Sequence, residues 1–208
     1  MRDGPMASIA SLDATLSTKL VLTSEHHRSS VFSIRLFFLF LEWTAHGIPW
    51  IVGTVIAACR SLHYGYPLDE QWKACVLVFG IFFDLLITGI LKLYFRRPRP
   101  PYNKTNDQVL DAPVADKFSF PSGHASRSTM LAVVGLGLLH PQNAFYQVLI
   151  IAYPIVLGSS RVMMGRHYVA DVLGGVVAGY FEGCVALAFP LDAVEYVGEV
   201  YAQLLAYL

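Results

Sequence analysis

Charge is scarce in this chain. Only 14% of its 208 residues are charged, and 15 basic side chains balance 15 acidic ones; an ordinary soluble domain carries about 25%. A net charge of zero excludes the broad positive field of a nucleic-acid binder. Cysteine is scarcer still. Cys59, Cys75 and Cys184 form no CxxC or other metal-ligand spacing and sit in or beside apolar runs, where small buried side chains are expected. Residues 1–30 lack a basic start leading into a compact apolar run and a small-residue cleavage site, so no secretory signal is expected. No internal repeat or low-complexity tract calls for more than one domain.

Apolar sequence fills the space that charge leaves. Hydrophobic residues make up 55% of the chain and the mean hydropathy is +0.50. Five segments, approximately 33–59, 72–95, 122–140, 144–160 and 168–189, approach the roughly 20 apolar residues that a membrane-spanning helix needs. Open strands cannot satisfy their backbone in lipid, so the expected fold is an all-α transmembrane bundle of about five helices. Pro49 and Pro154 lie inside the first and fourth segments, where kinks are expected. Ile9, Leu12, Leu16 and Leu20 recur at helical spacing, as in an amphipathic helix lying on a membrane surface. The expected division is a tail over 1–32, a membrane domain over 33–189 and a second tail over 190–208, with a short interfacial helix after Pro190.

Three polar clusters interrupt the apolar background. Lys92 to Pro100 leaves the second segment, Pro121-Ser122-Gly123-His124 enters the third, and Ser160-Arg161 with His167 and Asp171 joins the fourth to the fifth. With five crossings these junctions fall on one membrane face. The longest polar stretch, 98–120, carries four prolines and three aspartates; it reads as a loop of functional length. Lys92, Arg99 and Arg161 bring permanent cations, and arginine suits bidentate phosphate binding. The Ser122 and Gly123 amides open a helix and can face an anion. His167 and Asp171 are four apart, so on a helix the carboxylate can fix the imidazole tautomer and free the other ring nitrogen to attack. His124 can protonate a leaving oxygen.

Lys92-x6-Arg99-Pro100, Pro121-Ser122-Gly123-His124 and Ser160-Arg161-x5-His167-x3-Asp171 resemble, at every defining position and in order, the three-part signature of the type-2 phosphatidic acid phosphatase superfamily. The resemblance covers roughly 33–189. It implies a phosphohistidine at His167, proton donation by His124, orientation by Asp171, and phosphate binding by Lys92, Arg99, Ser122, Gly123 and Arg161. It implies no metal and no cofactor. His46-Gly47-Ile48-Pro49-Trp50, Asp116-Lys117-Phe118-Ser119-Phe120 and Arg161-Val162-Met163-Met164-Gly165-Arg166-His167 further resemble the polyisoprenoid diphosphate branch, typified by presqualene diphosphate phosphatase. A broad-specificity phosphatidic acid phosphatase is the alternative. A channel or transporter would string its charges along a helix face, and an inactive relative would have lost the nucleophile or the cradle; neither pattern is present.

The remaining polar residues read as supports. Arg96 and Arg97 fit headgroup anchors, Arg127 and Arg166 flank the motifs, and His46, His63 and His140 fit surface or interfacial roles. Glu42, His46 and Asp84 lie within apolar segments, where ionisable groups find partners, and Asp84, Thr88 and Lys92 form a candidate polar seam. An endoplasmic-reticulum or nuclear-envelope membrane with a cytosol-facing site is expected. The sequon Asn103-Lys104-Thr105 points to the opposite face.

Overall fold

The computed structural model describes residues 5–22, 28–103 and 117–207. Residues 104–116, which hold most of the expected functional loop and two residues of the sequon, lie outside them. Eight helices are formed among the described residues: α1 (Pro5–Leu20), α2 (Arg28–Thr44), α3 (Gly47–His63), α4 (Leu68–Phe95), α5 (Gly123–Leu139), α6 (Ala144–Met163), α7 (Val169–Leu187) and α8 (Leu191–Ala206). Four stretches, Ile34–His63, Leu68–Phe95, Ala144–Met163 and Val169–Leu187, are long and apolar enough to cross a membrane. The 17-residue α5 is shorter and packs in the centre, against α4, α6 and α7. The chain is an integral membrane protein of all-helical class.

The first crossing is not one kinked helix. It breaks at Ala45–His46, four residues before Pro49. Proline lacks an N–H for the carbonyl four residues back and its ring clashes with that group, so the disturbance falls on Ala45 rather than on Pro49 itself. The stranded Ala45 carbonyl accepts instead from Arg127 Nη1, 2.9 Å away on α5. Arg127 thereby braces the break. Its Nη2 pairs with Asp84 on α4 at 2.6 Å, and the neighbouring Ser126 donates to Glu182 on α7 at 2.7 Å. The expected seam is real: Asp84, Thr88 and Lys92 are all buried along α4.

Small residues set the α5–α7 distance. Gly175, Gly179 and Gly183 recur every four positions on the α7 face toward α5, and a Cβ at Gly179 would overlap the Ser126 carbonyl oxygen. Below this seam Val76, Ile81, Met130, Val134 and Ala186 make the apolar core.

The terminal helices depart from expectation in different ways. Leu12, Leu16 and Leu20 face outward on α1, as an amphipathic surface helix requires, but the polar side of α1 is docked on the protein, with Ser17 fully buried. The Ile9 side chain lies outside the described ones. The chain after Pro190 is helical, as expected, and α8 buries Val194 and brings Gly198 toward Leu62 and Gln71, at the end opposite α1. The cysteines are free; Cys75 is buried, but Cys59 and Cys184 lie on outward faces, contrary to expectation.

Candidate active site

The end of α4, the start of α5, the end of α6 and the start of α7 meet at one end of the bundle. Hydrogen bonds join all three sequence clusters. Ser119 N donates to the Arg97 carbonyl at 2.8 Å, and Ser122 N donates to the Asp171 carbonyl at 2.9 Å. One antiparallel bridge, Pro98 with Phe118, ties the strand leaving α4 to the one entering α5.

A tight turn delivers His167. After α6 ends, Gly165 takes φ +72°, a conformation that a side chain would strain. The chain folds back so that Arg166 N and His167 N both donate to the Arg161 carbonyl, at 2.9 and 3.3 Å. The buried imidazole then places Nδ1 2.8 Å from the Ser119 carbonyl oxygen. A carbonyl can only accept, so Nδ1 carries the proton and Nε2 keeps its lone pair. Burial, with Arg99 and Arg161 nearby, lowers the His167 pKa to about 4 despite the opposing effect of Asp171. The ring is neutral at physiological pH.

Asp171 sits differently from the sequence expectation. Its Oδ2 is 3.7 Å from His167 Nδ1, beyond hydrogen-bond range, and accepts instead from Tyr168 N at 2.9 Å. Its Oδ1 pairs with Arg97 at 2.7 Å. The tautomer is therefore held by Ser119, and Asp171 acts on the ring through its charge. Arg97 is not a headgroup anchor; it lies over the Tyr168 ring at 4.1 Å and binds Asp13 as well as Asp171. Arg96, by contrast, is exposed and caps α4 in a left-handed conformation.

Two of the expected phosphate ligands, Arg99 and Arg161, act electrostatically on this imidazole. Arg161 is buried and pairs with Glu42 at 2.6 Å, while Arg99 reaches the Arg166 carbonyl at 3.4 Å. Lys92, Arg161 and His167 all lie within electrostatic reach of His124. Among the described residues, Ser122 Oγ, His124 Nε2 and Arg161 Nε are buried and without a hydrogen-bond partner, an unusual concentration of unmet polar atoms. Among the described residues, a Cβ at Gly123 would meet nothing within 4 Å. Of the two amides expected to face an anion, the Ser122 N–H is already committed to Asp171. His46, expected at a surface or interface, is half-buried where it caps the start of α3, and its ring centroid lies 6.4 Å from that of His124. Sequence reading missed Ser119 as a hydrogen-bond partner and Asp13 altogether, because the first acts through its carbonyl and the second lies far away in the chain.

Cations and unpartnered polar atoms thus collect beside a neutral imidazole. The model of the PAP2 superfamily matches residues 73–195, and the chain belongs to that superfamily. It is 35% identical over 134 residues to the probable lipid phosphate phosphatase beta of Arabidopsis thaliana, covering 53% of this chain and 62% of that protein. It is 26% identical to the undecaprenyl-diphosphatase BcrC of Bacillus subtilis, over 79% of this chain and 77% of that one. The chain spans about three fifths of the length of the curated relatives it matches at 34–35% identity. Among solved structures, the transmembrane PAP2-type phosphatidylglycerolphosphate phosphatase of Bacillus subtilis superposes with a TM-score of 0.65, at 22% identity over 88% of this chain and 86% of that one. That likeness extends to the fold.

Proposed function

We propose that this protein is a metal-independent lipid phosphatase acting on polyisoprenoid diphosphates and monophosphates. The observation that carries the reading is the set of buried polar atoms without partners among the described residues, Ser122 Oγ, His124 Nε2 and Arg161 Nε, beside an imidazole whose Nε2 is left basic. Lys92, Arg99, Arg161, Ser122 and the Gly123 amide hold the phosphoryl oxygens. His167 Nε2 attacks phosphorus and the phosphorus–oxygen bond to the lipid breaks. His124, which burial and the nearby cations keep neutral in the free protein, takes up a proton once the phosphoryl anion offsets those cations and gives it to the departing oxygen. Water then attacks the phosphohistidine, its proton passes to His124, and phosphate leaves with His167 restored. The carboxylate of Asp171 offsets the positive charge that the ring acquires while phosphorylated.

An apolar groove of about 700 Å³ supports the lipid assignment. It runs between α6 and α7 under Leu20, lined by Ile151, Ile155, Val162, Val172 and Val176, and it reaches Met163 and Val169 beside the His167 turn. Its branched walls suit a methyl-branched chain, and the likeness to an undecaprenyl-diphosphatase over most of both chains favours the isoprenoid reading. A site facing the cytosol from the endoplasmic reticulum or nuclear envelope completes the proposal.

Purified protein assayed with farnesyl diphosphate, presqualene diphosphate and phosphatidic acid tests it. The isoprenoid diphosphates should turn over fastest, vanadate should inhibit, and EDTA should have no effect. A preference for phosphatidic acid would support the broader phosphatase that the likeness to the Arabidopsis protein favours. Activity lost in EDTA and restored by Mg²⁺ would overturn the metal-free mechanism.

A further inference from the structure

Helix α1 meets the rest of the protein through its polar residues. Asp13 Oδ1 accepts from Ala170 N at 3.1 Å and Ser17 Oγ accepts from Val169 N at 3.0 Å. These are the first two amides of α7, which no bond within that helix can satisfy. A segment about 150 positions earlier thus caps the helix that carries Asp171. The second oxygen of Asp13, Oδ2, pairs with Arg97 Nη2 at 2.6 Å, and Arg97 Nη1 pairs with Asp171 Oδ1 at 2.7 Å. Arg97 is held between two carboxylates with its plane on Tyr168. A continuous chain, Asp13–Arg97–Asp171–His167, runs from α1 to the imidazole.

We propose that Asp13 and Arg97 are positioning residues of the active site, and that α1 is a working part of it. The inference rests on the phosphatase reading given above. Arg97 fixes the Asp171 carboxylate beside His167, but an arginine with one carboxylate partner would neutralise that partner. Asp13 supplies the second negative charge. With Arg97 shared, Asp171 keeps charge to spare for the ring. The His167 ring becomes positive only as its nitrogen bonds to phosphorus, so the contribution of Asp13 appears in the transition state and not in substrate binding.

The test is a double-mutant cycle on the full chain, with kcat and KM measured separately. Asp13→Asn keeps the size of the side chain and removes its charge; kcat should fall at least fivefold with KM unchanged within twofold. In an Arg97→Gln background the link is already cut, so adding Asp13→Asn should change kcat by less than twofold. Ser17→Ala removes one docking bond without touching a charge and should leave kcat near the wild-type value. Wild-type kcat in Asp13→Asn, losses that multiply in the double variant, or an equal loss in Ser17→Ala would each overturn the inference. A wild-type protein without phosphatase activity would instead remove the functional reading on which the inference rests.

Discussion

Replacing Gly175 by alanine should disable the site without altering any of the proposed phosphate ligands. An added Cβ would lie 2.5 Å from the Ser122 carbonyl oxygen, 3.0 Å from Ala125 Cβ and 3.1 Å from Ser126 N. Carbon–oxygen contacts settle at about 3.3–3.6 Å, so α5 and α7 must part locally by about 1 Å. The obstacle is backbone, which cannot rotate aside. The parting acts where it does most harm, because Ser122 N holds the Asp171 carbonyl at 2.9 Å and His124, two residues on, lies within electrostatic reach of His167. Misplacement by about 1 Å can cost about 100-fold in rate, and overpacking of this kind costs about 1–3 kcal/mol of stability. Turnover should therefore fall by about two orders of magnitude while thermal unfolding in detergent shifts only moderately. Gly89→Ala on α4 is the control, since its Cβ would meet nothing within 4 Å and alanine favours the helix by about 0.5–1 kcal/mol. Wild-type turnover in Gly175→Ala, or an equal loss in Gly89→Ala, would refute the idea that this glycine sets the site.

Arg127→Met should cost about 3–5 kcal/mol by stranding Asp84 in the core, and adding Asp84→Leu should recover most of it; thermal unfolding that is unchanged by the single substitution would contradict the bracing role. Nitrogen NMR of labelled histidine in the free protein should show the His167 ring neutral, protonated at Nδ1, down to about pH 4. The folded state resists the proton that the unfolded chain accepts near pH 6.5, so this group removes stability as pH falls between those values and none above them. A midpoint at 6.5 would contradict the burial. Tags at the two termini should be digested from opposite sides of sealed microsomes, the amino-terminal one from the cytosol, because α1 lies at the site end and α8 at the other. A protected amino-terminal tag would reverse the orientation, and tags accessible from the same side would break the crossing count.

The helical bundle was legible because lipid permits so few alternatives, and membership of the superfamily because three motifs carried its signature in order. What escaped the sequence is what acts through backbone or across long separations. The break before Pro49 was displaced by the reach of the proline ring to Ala45. Ser119 holds the His167 tautomer through a carbonyl that every residue possesses, so no side-chain pattern could mark it. Arg97 looked like an anchor because its two carboxylate partners lie 84 and 74 positions away. The spacing of Leu12, Leu16 and Leu20 revealed the outward face of α1 but nothing of what Asp13 and Ser17 bind on the other side. Gly175, Gly179 and Gly183 matter for the atoms they do not have, and only the facing helix shows why.

The covalent intermediate is the most direct test of the central claim. Protein mixed with a substrate labelled at its terminal phosphorus, quenched in alkali within one turnover and digested, should carry the label on the peptide containing His167. The linkage should survive base and break in acid, as a phosphorus–nitrogen bond does, and should be absent from His167→Ala. Label on any other residue, or rapid phosphate release by His167→Ala, would contradict the mechanism.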